Sequence, residues 1–199
     1  MEQGDVEQLA ESFRRMAGVG VDEVRPVTRM VIAVLGPDAL AIDEPGAPAR
    51  LEGRRVWVAA NDPDPYFSIA HEVGEWLLRD VVGYAGRGEP KERLANRIAG
   101  AILAPRHLLL RVHGRLGERP RAIGRVFVLS QTAVVLRLAE VLGDRRAVVT
   151  RSGHVLARGE GWERVPAVDV ARGRVSLPGL AKARLRGGID DGRVALRER

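Results

Sequence analysis

The sequence predicts an α+β fold: a helical core carrying a small β-sheet, a helix-turn-helix-like segment, and a β-rich C-terminal region. Three observations predict it. Apolar residues recur at helical spacing through most of the first 143 positions, two short β-type runs interrupt them near residues 40 and 57, and beyond residue 145 the pattern turns to short β-branched runs. With 199 residues, 45% of them apolar, the chain is long enough to bury one core without bridges or structural metals. It has no cysteine, which excludes thiol chemistry and Cys-based zinc sites.

Each element has a local reason. Residues 5–17 place Val6, Leu9, Phe13 and Met16 at intervals of three and four before Gly18 and Gly20, an amphipathic helix with its stop. A second helix is expected over 24–35, closed by Gly36-Pro37. Residues 39–42 and 54–60 read as short strands, the second opened by Gly53. The run Asn61-Asp62-Pro63-Asp64-Pro65 can neither extend a strand nor sit inside a helix, so a new helix starts after it and is expected over 66–80. Another follows over 91–103, with Pro90 in its first turn and Pro105 beyond its end, and 106–112 prolongs it after a kink. Residues 121–143 read as two helical stretches separated by Val128-Leu129-Ser130, with Ser130 as N-cap. Short strands are expected in 147–150, 154–158, 162–170, 174–177 and 193–197, with Ser152-Gly153 as a hairpin turn.

The net charge of +6 conceals a division. Residues 1–100 carry 12 Lys+Arg against 17 Asp+Glu, whereas residues 101–199 carry 20 against 9. A basic half of this kind suits a nucleic acid or an acidic protein face. Its basic residues are almost all arginine, as coding bias would produce. No apolar run approaches the ~20 residues needed to span a bilayer, so a cytoplasmic protein without membrane contact is expected.

Of the four histidines, only His71 sits in a chemical constellation. On a helix, His71 and Glu75 lie one above the other at i and i+4, with Glu72 one step round. Metal-dependent hydrolysis needs nitrogen or carboxylate ligands for the ion and a separate carboxylate to take a proton from water. His71, Glu72 and Glu75 are groups of both kinds, and Glu92 on the next helix is the carboxylate that a third ligand would need. The bland alternative is a solvated helix face on which Glu75 pairs with Arg79, and Glu92 merely favours its helix dipole. His107, which follows the Leu103-Ala104-Pro105 segment, is close enough in sequence to act as a donor, although a helix-end histidine near Arg106 and Arg111 is more often plain surface. His113 and His154 lie in Gly-adjacent loops. Ser130, Gln131 and Thr132 would open a recognition helix if 121–143 read DNA; alternatively Val126, Val128, Val134, Val135, Leu138 and Val141 pack this pair against the metal helices.

The run FSIAHEVGEWLL, followed by ERLANRIAGAILAP, resembles the ImmA/IrrE family of bacterial metallopeptidases, which read F-x-x-A-H-E-x-G-H and then E-x-x-A-N-x-F-A-x-x-L-L-x-P. The matching residues are Phe67, Ala70, His71, Glu72, Gly74, Glu92, Ala95, Asn96, Ala99, Leu103 and Pro105. The preceding strand GRRVWVAAN and the later RVFVLSQTAVVLRLAEVLG are similar to that family too, and the resemblance extends over residues 5–145. It implies a metallopeptidase-like domain over 1–117 and a helix-turn-helix-like segment over 118–145, while the short β-type runs beyond them read as a small β-rich region over 146–199. It also implies a metal held by His71, Glu75 and Glu92, with Glu72 as general base. The substrates it implies are cytosolic regulators such as helix-turn-helix repressors of phages or mobile elements.

One position departs from the family: Glu75 stands where the second ligand histidine is expected. A His-Glu-Glu set carries one more negative charge than His-His-Glu. It therefore makes the ion a weaker Lewis acid and shifts preference from the zinc typical of the family toward manganese or magnesium. The same change is compatible with a degenerate relative that holds no metal. A non-catalytic regulator that binds DNA or a repressor through the basic half is the competing reading.

Overall fold

The computed structural model describes residues 1–86, 88–117, 119–143, 146–150, 155–158, 183–185 and 193–198. It is α+β, with seven α-helices and two small sheets among these residues. The chain divides into two compact units, Met1–Leu108 with Val126–Leu129, and Leu109–Arg125 with Ser130–Arg199.

In the first unit, α1 (Gln3–Met16) buries Val6, Ala10 and Phe13, and its start is closed by a capping box in which the Glu2 amide donates to Asp5 at 2.9 Å. Helix α2 (Val27–Leu35) buries Val27, Met30, Val31 and Leu35 and stops at Gly36, whose φ of 111° few other residues adopt. It begins three residues later than the spacing suggests. Pro26 is its N-cap with extended ψ, and the residue before a proline is kept out of helical conformation, so Arg25 cannot join.

Strands β1 (Leu40–Asp43), β2 (Arg50–Glu52) and β3 (Arg55–Ala59) form a sheet in the order β1-β3-β2, with β1 parallel and β2 antiparallel to β3. Val56 and Val58 on β3 point into the core while Arg55 and Trp57 alternate outward, with the Arg50 and Arg55 guanidiniums over the Trp57 ring at 5.3 and 5.9 Å. The reading of the sequence did not foresee β2. Its three residues have no apolar alternation, and only the left-handed Gly53 turn into β3 marks the hairpin.

Helix α3 (Pro65–Trp76) follows the Asp/Pro break as expected, but residues Leu77–Val81 widen into a π-helical turn rather than continuing it. That turn accompanies the full burial of two sequence neighbours, Leu77 and Leu78. Helix α4 (Glu89–Leu103) packs on both α3 and α1 through Leu94, Ala95, Ile98, Ala99 and Ile102. The α3–α4 approach is close enough that a Cβ on Gly74 would lie 2.8 Å from the Ala95 carbonyl oxygen. Arg14 of α1 is buried, and its guanidinium donates to the carbonyls of Ile102, Gly20 and Glu23, the first at 3.2 Å. Ile102 lies in the last turn of α4, where carbonyls lack helical partners.

Residues 106–112 belong to a separate helix, α5 (Arg106–Leu116). Helices α6 (Pro120–Phe127) and α7 (Gln131–Leu142) meet at 95°, and Ser130 is the N-cap, accepting the Ala133 amide at 3.2 Å. Val134, Val135, Leu138 and Val141 are buried as expected, while Val126 and Val128 are exposed. Strands β4 (Arg146–Thr150), β5 (Val155–Arg158), β6 (Ala183–Leu185) and β7 (Arg193–Glu198) form an antiparallel sheet in the order β5-β4-β7-β6, with α7 against β4 and β5. The expected strands at 162–170 and 174–177, the Ser152-Gly153 turn and His154 lie outside the described residues. Among the described residues, no single helix is long and apolar enough to cross a membrane.

Candidate metal centre

Helix α3 presents His71, Glu72 and Glu75 within one turn, and α4 brings Glu92 and Asn96, also at i and i+4, to meet them. The pairing depends on the small residues between the helices. Gly74 and Ala95 each lie three residues beyond a donor, His71 and Glu92, so the tightest contact is one turn from the site.

Ligand atoms of His71, Glu75 and Glu92 all lie within 4.8 Å of one another. His71 Nε2 and Glu92 Oε2 stand 3.4 Å apart. Four ligands around zinc at about 2.1 Å stand about 3.4 Å apart, so this pair already has the spacing of an ion's coordination edge. The His71 Nδ1–H donates to Asn96 Oδ1 at 2.9 Å, which leaves the Nε2 lone pair facing the two carboxylates. The chemistry of the donor set therefore fits a divalent ion of the zinc or manganese type.

Glu72 has a different environment. Only 8% of it is exposed. Burial pushes its carboxyl above the usual range, and the charge of Glu75 adds to this, while His71, the Leu51 backbone amide of β2 and Lys91 pull the other way. A carboxylate raised toward neutrality is a better proton acceptor for water at working pH than an ordinary surface glutamate.

Glu75 does not pair with Arg79. Arg79 bonds Asp80 at 2.8 Å within the π-helical turn, and Glu75 Oε2 instead meets Lys91 Nζ, also at 2.8 Å. Sequence spacing assigns no role in the site to Lys91 or Leu51. A lysine in an arginine-rich chain, directly before the third ligand, was the signal available for the first, whereas nothing in the sequence marked β2 as passing over Glu72. His107 is exposed, and its Nε2 lies 2.6 Å from the Val21 carbonyl, so it is not brought to the donors. A separate groove lined by Pro37, Asp38, Glu52, Arg54 and Trp57 contains none of the site residues.

Among solved structures the fold is similar to that of a Mycobacterium tuberculosis transcriptional regulator. The likeness has a TM-score of 0.68 and 16% identity and covers 98% of this chain and 75% of that one. At this identity it is a likeness of fold alone. No protein-family model matches the chain, and no curated protein matches it.

Proposed function

We propose that the chain is an ImmA/IrrE-like metal-dependent endopeptidase of the cytoplasm, acting on a regulatory protein such as a helix-turn-helix repressor. The observation that carries the reading is the convergence of His71, Glu75 and Glu92 within 4.8 Å beside a buried Glu72. His71, Glu75 and Glu92 would hold zinc, or manganese or magnesium given the two carboxylates. When bound, such an ion supplies Lewis-acid polarisation of water and of the peptide carbonyl.

The chain's own residues do the rest. Asn96 fixes the His71 ring and its tautomer through Nδ1. The Glu72 carboxylate takes the proton of the attacking water and returns it to the departing amine nitrogen, a transfer helped by its raised proton affinity.

The test has two arms. Mass spectrometry of tag-free protein after reconstitution with zinc or manganese should find about one ion per chain, and Glu72→Gln should retain it. Co-expression with a helix-turn-helix repressor encoded beside the gene should deplete the repressor with the wild type and spare it with Glu72→Gln. Equal depletion by both would exclude proteolysis.

One pair of observations favours the second reading, a non-catalytic regulator binding DNA or a repressor through the basic half. The protein of similar fold is called a transcriptional regulator, and α5 and α6 expose Arg106, Arg111, Arg115, Arg121 and Arg125. Phosphate contacts would make DNA affinity fall steeply with salt. The absence of any DNA retardation at low salt would exclude the DNA-binding version.

A further inference from the structure

We propose that Lys91 is a built-in competitor for the cation at this centre: its ammonium holds Glu75 and must withdraw before a divalent ion takes all three donors. The inference rests on the metal-binding reading and adds to it a device that sets occupancy.

The geometry is direct. Lys91 Nζ lies 2.8 Å from Glu75 Oε2, and the two side chains are 25% and 22% exposed, so the pair is less screened than a surface contact. Glu75 is at the same time one of the three donors. The carboxylate oxygen that accepts the ammonium at this distance has one lone pair engaged by that cation, and the side chain is held toward Lys91. An incoming ion would also be repelled by the ammonium's positive charge beside it.

The placement of Lys91 has no merit for the helix itself. It sits in the first turn of α4, at the positive end of the helix dipole, where a cation is disfavoured. The pair with Glu75 offsets that cost. Its side-chain type matters too. Lysine occurs only at Lys91 and Lys182 among 32 basic residues. An arginine would grip the carboxylate through two parallel bonds, whereas an ammonium on a flexible stem makes a point contact that detaches readily. The negative charge that Glu75 adds to the donor set is thereby matched within the chain. Free protein holds its extra carboxylate neutralised, and apparent affinity is reduced by the fraction of molecules in which Lys91 occupies Glu75.

The experiment titrates Mn²⁺ into chelator-stripped full-length protein by calorimetry, with circular dichroism to verify folding. Lys91→Met and Lys91→Gln should each bind about tenfold more tightly than wild type, and Lys91→Arg no more tightly than wild type. Adding His71→Ala to Lys91→Met should abolish the gain. If both neutral variants bind as the wild type does while His71→Ala weakens binding, the competitor is overturned and the metal centre stands. If neither wild type nor the neutral variants bind, or His71→Ala changes nothing, the metal centre itself fails and the competitor with it. Loss of folding in both neutral variants would make Lys91 a structural ion-pair partner and overturn the proposal as well.

Discussion

Replacing Gly74 by alanine probes the contact that brings the two halves of the metal centre together. The new Cβ would lie 2.8 Å from the Ala95 carbonyl oxygen, 3.3 Å from the Ala95 Cα and 3.4 Å from the Ile98 Cβ. The nearest obstacle is backbone, so no rotamer change relieves it. Restoring van der Waals contact requires α3 and α4 to part by about 0.5 Å, and overpacking of this kind costs about 2–3 kcal/mol. Alanine's better helix propensity offsets about 1 kcal/mol of that. The net loss of about 1–2 kcal/mol should lower the melting temperature by roughly 2–8 °C. Because His71 and Glu92 each precede this contact by one turn, the same displacement widens their 3.4 Å separation, and Mn²⁺ affinity should fall with stability. Gly114→Ala is the matched control, a glycine within α5 with nothing within 4 Å of its Cβ position, and should raise stability by about 0.5 kcal/mol. Differential scanning calorimetry on both variants decides the matter. A Gly74→Ala protein as stable as the wild type, or one shifted in the same direction as Gly114→Ala, would refute the reasoning.

Two further outcomes are expected. Glu72→Gln should stabilise the protein by about 1 kcal/mol at neutral pH, because burial opposes the charge of the carboxylate. Since the folded-state pKa lies above the unfolded one, wild-type stability declines as pH rises from the unfolded value through the folded one. Urea denaturation should therefore show the gap between variant and wild type closing toward pH 4.5, and a gap independent of pH would count against this account. Ser130→Ala should cost α7 about 1 kcal/mol, with Ser130→Asp restoring most of it, and equal urea midpoints for all three proteins would remove the cap from the account.

Much of the fold was legible because periodicity and punctuation agreed. Helices α1 and α4 carry both a clean apolar stripe and a defined start or stop, and Ser130 caps α7 where its type and position indicated. Elements set by tertiary contact were not legible. Strand β2 exists because β3 offers a pairing edge, and three residues of mixed character announce nothing by themselves. The π-helical turn at Leu77–Val81 answers a packing demand that helical spacing does not encode. In the site, i, i+4 geometry puts His71 and Glu75 on one face, the family resemblance made these two and Glu92 a donor set, and the structure brings the three within 4.8 Å of one another. Their partners were not. The reach of Lys91 to Glu75 and of the Leu51 amide to Glu72 depends on how α4 and β2 are laid against α3, information that lies between elements.

The buried guanidinium of Arg14 bears on the order in which this molecule can be made. During synthesis α1 leaves the ribosome first, yet the Ile102 carbonyl that Arg14 serves lies 88 residues further along the chain. The Gly20 and Glu23 carbonyls can serve the guanidinium early, but the Ile102 carbonyl and the α4 face on which α1 packs cannot, so α1 meets its full set of partners only when α4 is complete. Docking of α1 is thus a late event, coupled to completion of the last turn of α4. A chain that stalls before residue 102 lacks one of the three carbonyls that Arg14 serves. The helix that presents Glu92 is finished at its far end by a residue translated nearly 90 codons earlier.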